Sequence, residues 1–248
     1  MRTFLLLVGA AFSMGNVYCQ SARALFSAGN GITFESKLGD AAGVVKNPQE
    51  KKVSAKDPNS EFTGISYSIF KEFENNALKK VSPKTTFSTG DRIRVAVQVN
   101  KKGYLSVVNI DPEGKATIVS RQTATPGVSV NVPDKGFLKF VGAKGIEQLI
   151  FVLSAKPLPQ LENAKLNMVS SFATACNSAV IASRSLMIDD STGNQFNVVN
   201  TNGTCASSNG STRSLVVEVA DNSGFGVVSD SVLASGQIMT LKINLHHE

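Results

Sequence analysis

Three carboxylates stand beside predicted turns and are the first candidates for chemistry: Asp91, Asp111 and Glu147. A pair of carboxylates held close together can bind a metal ion or act as general acid and base. Nothing in their spacing brings these three together, and each lies close to a glycine or proline that is typical of a turn. We therefore expect structural roles and predict no catalytic, cofactor-binding or metal-ligating residue. Metal binding or catalysis by Glu147 with one of the other two carboxylates is the alternative.

Histidine is scarce in this sequence. The two histidines, His246 and His247, stand third and second from the end. A Ser-His-Asp or Cys-His site would need one of them to be held firmly, although a chain end is typically frayed. The sequence also has no P-loop, no H-E-x-x-H motif and no nucleophile elbow. These observations disfavour the common hydrolase and nucleotide-binding classes.

The N-terminus has the layout of a secretory signal peptide. Met1-Arg2 is followed by an apolar run from Phe4 to Met14 and then by small and polar residues. This run is shorter than the about 20 apolar residues that a membrane-spanning helix needs, and no later segment could serve as one. We predict a leader at residues 1–24, cleaved after Cys19 or after Ala24. The expected location is the periplasm or the extracellular space, with lipidation of Cys19 and association with the outer membrane left open.

Leader removal leaves Cys176 and Cys205 as the remaining cysteines. An even pair in an exported protein favours a disulfide, which would stabilise the fold by roughly 3–4 kcal/mol. A zinc site that combines these cysteines with His246 and His247 is the weaker interpretation, because there is no C-x-x-C spacing.

The charge and composition of the chain limit its partners. The formal net charge is +6, with a sequence pI near 9.2, and part of that charge lies in the leader. Lysines are scattered and do not alternate with aromatic residues, which disfavours nucleic-acid binding. An unknown envelope protein or an anionic envelope polymer is the expected partner.

Strand patterns begin after a polar segment. Residues 25–61 are rich in Gly, Ser, Asn, Asp and Lys, which indicates a flexible linker. Strands with two-residue alternation are predicted from Gly64 and at Arg92–Val99, the latter with one apolar face and one wet face. Tyr104–Ile110 is predicted to form a hairpin with Arg92–Val99. A type I turn at residues 111–114 leads into a third strand.

The rest of the body continues the pattern. Further strands are predicted at Val128–Val132, Phe137–Val141, Gln148–Leu153, Leu186–Ile188, Ser214–Val219, Gly226–Val228 and Met239–Leu245. One helix is expected after Pro159, covering a face or edge of a sheet. Short strands with frequent Gly, Asn and Ser breaks favour an antiparallel β-sandwich or open barrel, immunoglobulin-like in size, formed by a single domain at residues 62–248.

Four short motifs lie at the ends of these strands: Thr89-Gly90-Asp91, Gly103-Tyr104-Leu105, Asp111-Pro112-Glu113-Gly114, and Gly145-Ile146-Glu147 before a hydrophobic strand. Together they resemble the motifs of the bacterial domain-of-unknown-function 4384 family over residues 64–158. The resemblance implies an exported or envelope-associated β-domain with no assigned activity.

Each motif residue also has a structural interpretation. Asp91 is expected to cap a turn, while Gly103 and Gly114 are expected to take positive φ. Tyr104 is expected to bury its ring and leave its hydroxyl wet. The carboxylate of Glu147 is expected to accept backbone hydrogen bonds at the entrance of a buried strand.

These observations favour a non-catalytic interaction or structural protein of the bacterial envelope. A hydrolase or other enzyme acting on cell-wall material is the first alternative. A small-ligand or glycan-binding module is the second.

Overall fold

The computed structural model describes residues 23, 26–27, 62–162, 195–200, 215–220, 222–229 and 236–248. These residues form thirteen strands, a 3₁₀ helix at Glu74–Asn76 and a short helix α1 at Pro159–Glu162. The strands are β1 Phe62–Glu72, β2 Leu78–Val81, β3 Thr86–Phe87, β4 Arg92–Val99, β5 Gly103–Ile110, β6 Ala116–Ala124, β7 Val130–Val132, β8 Leu138–Lys139, β9 Gly145–Ser154, β10 Gln195–Asn200, β11 Leu215–Ala220, β12 Ser223–Ser229 and β13 Gln237–His247.

The strands build two sheets that do not close into a barrel. Sheet 1 has the order β11-β12-β1-β4-β7, with β2 beside β1 and β8 beside β4. Sheet 2 has the order β10-β13-β9-β5-β6, with β3 beside β13. Neighbouring strands are antiparallel except for the parallel pair of β3 and β13. The predicted β-rich fold is confirmed, and of the two predicted architectures it is the sandwich.

The main core lies between the sheets. Two-residue alternation points Ile65, Tyr67 and Ile69 of β1 inward, and each is at most 1% exposed. Phe151 of β9 meets Tyr67 across the layers with the ring centroids 6.2 Å apart. Burial of each such side chain stabilises the fold by about 1.5–3 kcal/mol.

A second apolar cluster lies on the other face of sheet 2. Leu161 of α1 packs there with Val108, Ile150, Val152 and Ile238. The predicted helix therefore does begin at Pro159 and covers a sheet face. Its expected continuation beyond residue 162 lies outside the described residues, as do the predicted strand Leu186–Ile188 and both cysteines of the predicted disulfide.

The predicted hairpin between Arg92–Val99 (β4) and Tyr104–Ile110 (β5) is wrong. Strand β4 pairs with β1, β7 and β8 in sheet 1, whereas β5 pairs with β6 and β9 in sheet 2. The side chain of Asn100 explains the crossing. Its Oδ1 accepts a hydrogen bond of 2.7 Å from the Gly64 amide, and its Nδ2 donates one of 3.0 Å to the Phe62 carbonyl. These bonds fix the end of β4 to β1 before the chain passes to the other sheet.

The prediction of a wet face on β4 is also wrong. Arg94 is 7% exposed and Gln98 is 5% exposed. The guanidinium of Arg94 donates to the Gly136 carbonyl at 2.7 Å from Nη2, and it lies 4.8 Å from the ring centroid of Phe137. The loop before β8 therefore covers this part of the strand, and the arginine is buried with its Nε and Nη2 both bonded to the Gly136 carbonyl.

Phe26, which lies in the described part of the predicted linker, contacts the sandwich. Phe26 is fully buried, and its ring lies edge-on to that of Phe225 with the centroids 6.1 Å apart. It also occupies the space beside Gly64, where an added Cβ would lie 2.9 Å from Phe26 Cδ2. The division into leader, linker and domain stays a prediction.

Candidate functional site

A small cavity opens between the two sheets at one end of the sandwich. Its volume is about 200 Å³. The residues that line it are Ile93, Asn109, Asp111, Leu138, Lys139, Phe140, Val141, Glu147, Leu149 and Leu245. Both sheets contribute, because the start of β4 and the strand β8 face the end of β5, the start of β9 and the end of β13. We call this space the end cavity.

Glu147 is the buried acidic residue of the end cavity. Leu149 and Phe151 of the same strand belong to the main core, so alternation along β9 places Glu147 on the inward face. Glu147 is 8% exposed, and its Oε2 accepts a hydrogen bond of 2.8 Å from Nδ2 of Asn109. The prediction that backbone amides hold this carboxylate is therefore wrong. The side-chain amide of Asn109 on the neighbouring strand β5 holds it instead.

Asp111 lines the same cavity but acts within its own turn. Its Oδ1 accepts hydrogen bonds from the amides of Glu113 and Lys115, at 3.1 and 2.8 Å. The Gly114 amide donates to the Asp111 carbonyl at 2.9 Å, and Gly114 has a φ of +84°. A turn at residues 111–114 and the positive φ of Gly114 are confirmed, while the type I assignment stays a prediction. The structure thus brings Asp111 and Glu147 to one cavity, although their spacing gave no sign of it.

Asp91 lies outside the lining of the end cavity. Its Oδ2 accepts a hydrogen bond from the Ser88 amide at 2.8 Å and forms an ion pair with Lys71. Burial by itself raises the pKa of Asp91, but the Lys71 hydrogen bond, the Ser88 amide and the charges of Lys71 and His247 outweigh it and lower the pKa below 3.8. The predicted role of Asp91 in capping a turn is confirmed.

Two further motif predictions are wrong, the positive φ of Gly103 and the buried ring of Tyr104. Gly103 does not take positive φ. An added Cβ there would lie 2.8 Å from both Leu153 Cδ1 and the Ser154 carbonyl oxygen, so close packing against β9 requires the glycine. Tyr104 is 38% exposed, because alternation places it on the outer side of β5. Gly145 adopts a φ of +144° against the ring of Pro112.

His247 is a buried residue that the sequence interpretation missed. The expected frayed end is wrong, since His247 belongs to β13 and is 2% exposed. Its Nε2 lies 2.9 Å from Oγ1 of Thr89, and its ring lies 5.4 Å from that of Phe140. The alternation of Leu241, Ile243 and Leu245 continues to residue 247, and this signal marks the histidine as inward-facing.

The comparisons with known proteins bear on the middle of the chain. Residues 86–157 match the family described as Domain of unknown function (DUF4384). The predicted resemblance to this family is confirmed over that range, which begins later than residue 64. No curated protein and no solved structure gives a significant match.

The DUF4384 match covers strands β3 to β9, which are divided between both sheets. Strand β1 pairs with β4, and β13 pairs with β9, so strands outside the match complete both layers. The four motifs lie inside the match. Two of them supply Asp111 and Glu147 of the end cavity, and a third supplies Asp91 beside it.

Across the described ranges, no group of three or more His, Cys, Asp and Glu side chains is placed to hold a metal ion. In the same ranges, no helix is long and apolar enough to cross a membrane.

Proposed function

We propose that the protein is a non-catalytic interaction or structural protein, exported to the bacterial cell envelope, that binds a protein partner or an envelope polymer. One observation carries the proposal: three carboxylates of the four motifs are engaged in holding turns and strands. Asp91 and Asp111 accept backbone amides of their own turns, and Glu147 is bonded to Asn109. The arrangement of the N-terminal residues supports export.

The enzyme alternative has one specific observation in its favour. Glu147 and Asp111 line the same cavity, as a general acid and base would. However, the two amide donors on Asp111 Oδ1 fix that carboxylate to its turn and favour a structural role. Loss of an activity on cell-wall material in Glu147→Ala, with folding intact, would promote this alternative.

Export is tested by fractionating cells that produce the full chain and sequencing the N-terminus of the product. We expect a chain that begins after Cys19 or Ala24 in the periplasmic or envelope fraction. Leu6→Arg interrupts the apolar run and is expected to retain the protein in the cytosol, whereas the matched Leu6→Ile is expected to be exported normally. A cytosolic wild-type product with an intact leader would contradict the proposal.

Binding is tested by cross-linking in the native cell. We expect one protein or polymer to be recovered reproducibly with the wild-type chain. Recovery of the same protein or polymer from control cells that lack this chain would contradict an interaction role.

A further inference from the structure

The carboxylate of Glu147 is buried without a cationic partner. Within the described ranges the ion pairs join Lys71 to Asp91 and Arg92 to Glu72, and Glu147 takes part in neither. Its hydrogen bond comes from the neutral amide of Asn109. Buried carboxylates are normally paired with a cation or several donors, because removing the charge from water is costly. The end cavity beside Glu147 is where a compensating group would fit.

The chemistry of the end cavity defines that group. Its inner wall is apolar, formed by core residues such as Ile93, Leu149 and Leu245. Its volume of about 200 Å³ is below the about 300–1,000 Å³ of pockets for drug-sized ligands. The space therefore suits a single side chain or a small molecule. An apolar stem would contact the wall while a donor-rich cation met the carboxylate.

The basic side chains of β4 and β8 beside the end cavity, Arg92 and Lys139, do not pair with Glu147. Alternation along the paired strands β4 and β8 places Ile93 and Leu138 inward and Arg92 and Lys139 outward. Lys139 contributes to the lining but is exposed, and it forms no ion pair with Glu147. Asp111, also in the lining, adds negative charge that attracts a cation.

We propose that the end cavity binds an alkylammonium group, carried either by a lysine side chain of a partner polypeptide or by a small free amine. The proposal deepens the proposed binding function and rests on it. Glu147 accepts hydrogen bonds from the ammonium, Asn109 orients the carboxylate, and the apolar wall contacts the stem.

The test is an NMR titration of the purified protein with three probes of equal length: n-butylammonium, n-butanol and butyrate. We expect saturable binding of n-butylammonium, weaker binding of n-butanol and none of butyrate, with shifts at the Asn109 side-chain amide and the Glu147 backbone amide. This ranking is measured on the unaltered protein. Absent n-butylammonium binding, or tighter binding of butyrate, would overturn the proposal.

Variants then test the role of the charge. Glu147→Gln preserves shape and is expected to weaken n-butylammonium binding by about 10-fold or more, since hydrogen bonds to charged groups contribute about 1.5–3 kcal/mol. It is expected to leave n-butanol binding unchanged. The matched control Glu113→Gln removes an exposed carboxylate that does not line the cavity, and it is expected to bind like wild type. Equal n-butylammonium affinity in wild type and a folded Glu147→Gln would overturn the site.

The source of the ammonium is decided with a capped Ala-Lys-Ala peptide and its norleucine analogue. Binding of the lysine peptide but not of its norleucine analogue supports a partner side chain. Binding of n-butylammonium but of neither peptide supports a free amine. A protein that is exported and cross-links a partner, yet binds no ammonium probe, would refute the site and leave the proposed function intact.

Discussion

The ring of Tyr67 fills the space that a side chain at residue 224 would need. A Cβ added to Gly224 would lie 2.0 Å from Cε1 of Tyr67, far inside van der Waals contact. The two residues are register partners on β1 and β12, and Tyr67 is 1% exposed in the core. The glycine is thus part of the packing between the sheets.

Gly224→Ala is expected to lower the free energy of unfolding by about 1–3 kcal/mol, because overpacking forces neighbouring groups to move. The measurement is urea unfolding followed by circular dichroism. In the double variant Tyr67→Leu with Gly224→Ala, the alanine is expected to cost less than in the wild-type background. Equal costs in both backgrounds would contradict the proposed clash.

Asp91→Asn is expected to destabilise the protein at neutral pH by about 1–3 kcal/mol, since it removes the charge that pairs with Lys71. The folded-state pKa of Asp91 lies below the usual 3.8, so its contribution to stability is present above that value. It is lost as the pH falls through the folded pKa. The difference between wild type and variant is therefore expected to shrink towards pH 2, as measured by urea unfolding at several pH values.

Asp134→Asn is the control for this pH dependence. Asp134 is exposed and bonds the amide of its neighbour Lys135. Its replacement is expected to change stability little at any pH. If Asp91→Asn destabilises the protein as much near pH 2 as at neutral pH, the ion-pair explanation is contradicted.

Asp111→Ala is expected to cost about 1–2 kcal/mol, because the amides of Glu113 and Lys115 lose their common acceptor. Asp111→Asn keeps an oxygen at the same position and is expected to cost less. Thermal unfolding of the three proteins under one condition gives the comparison. Equal losses for alanine and asparagine would show that charge, and not the acceptor, matters here.

The exported protein is expected to contain a disulfide between Cys176 and Cys205. Iodoacetamide should label neither cysteine in the unfolded, unreduced protein and both after reduction. Cys176→Ser is then expected to lose about 3–4 kcal/mol of stability, and the double serine variant the same amount. Labelling of both thiols without reductant would refute the bond.

Sequence patterns predicted the long strands β1, β4, β5, β9 and β13, but they missed the strands β2, β3 and β10 and did not predict which strands pair. The alternation in β4 and β9 is local and is visible in the sequence. The pairing of β4 with β1 and of β5 with β9 depends on residues distant in sequence, such as Asn100 bonding to Gly64. A local pattern contains no information about such contacts, so the adjacent strands were wrongly predicted to pair. Burial of Arg94 was missed for the same reason, since its cover comes from residues 136–137.

The end cavity was only partly predictable. The motifs identified Asp111 and Glu147, but their common cavity depends on five strands, β4, β5, β8, β9 and β13, that converge from distant parts of the chain. Asn109 gave a local signal, as a polar residue near the end of an otherwise largely apolar strand. Its partner Glu147 became evident only from the neighbouring positions of β5 and β9.

The central place of β13 has a consequence for the order of folding. This strand lies between β9 and β10 and also contacts β3, yet it follows all of them in the chain. Sheet 2 therefore stays split during synthesis until the ribosome has released residues 237–247. During translation, β3 and β10 therefore have to wait for β13 before they can join β9, β5 and β6 in one sheet.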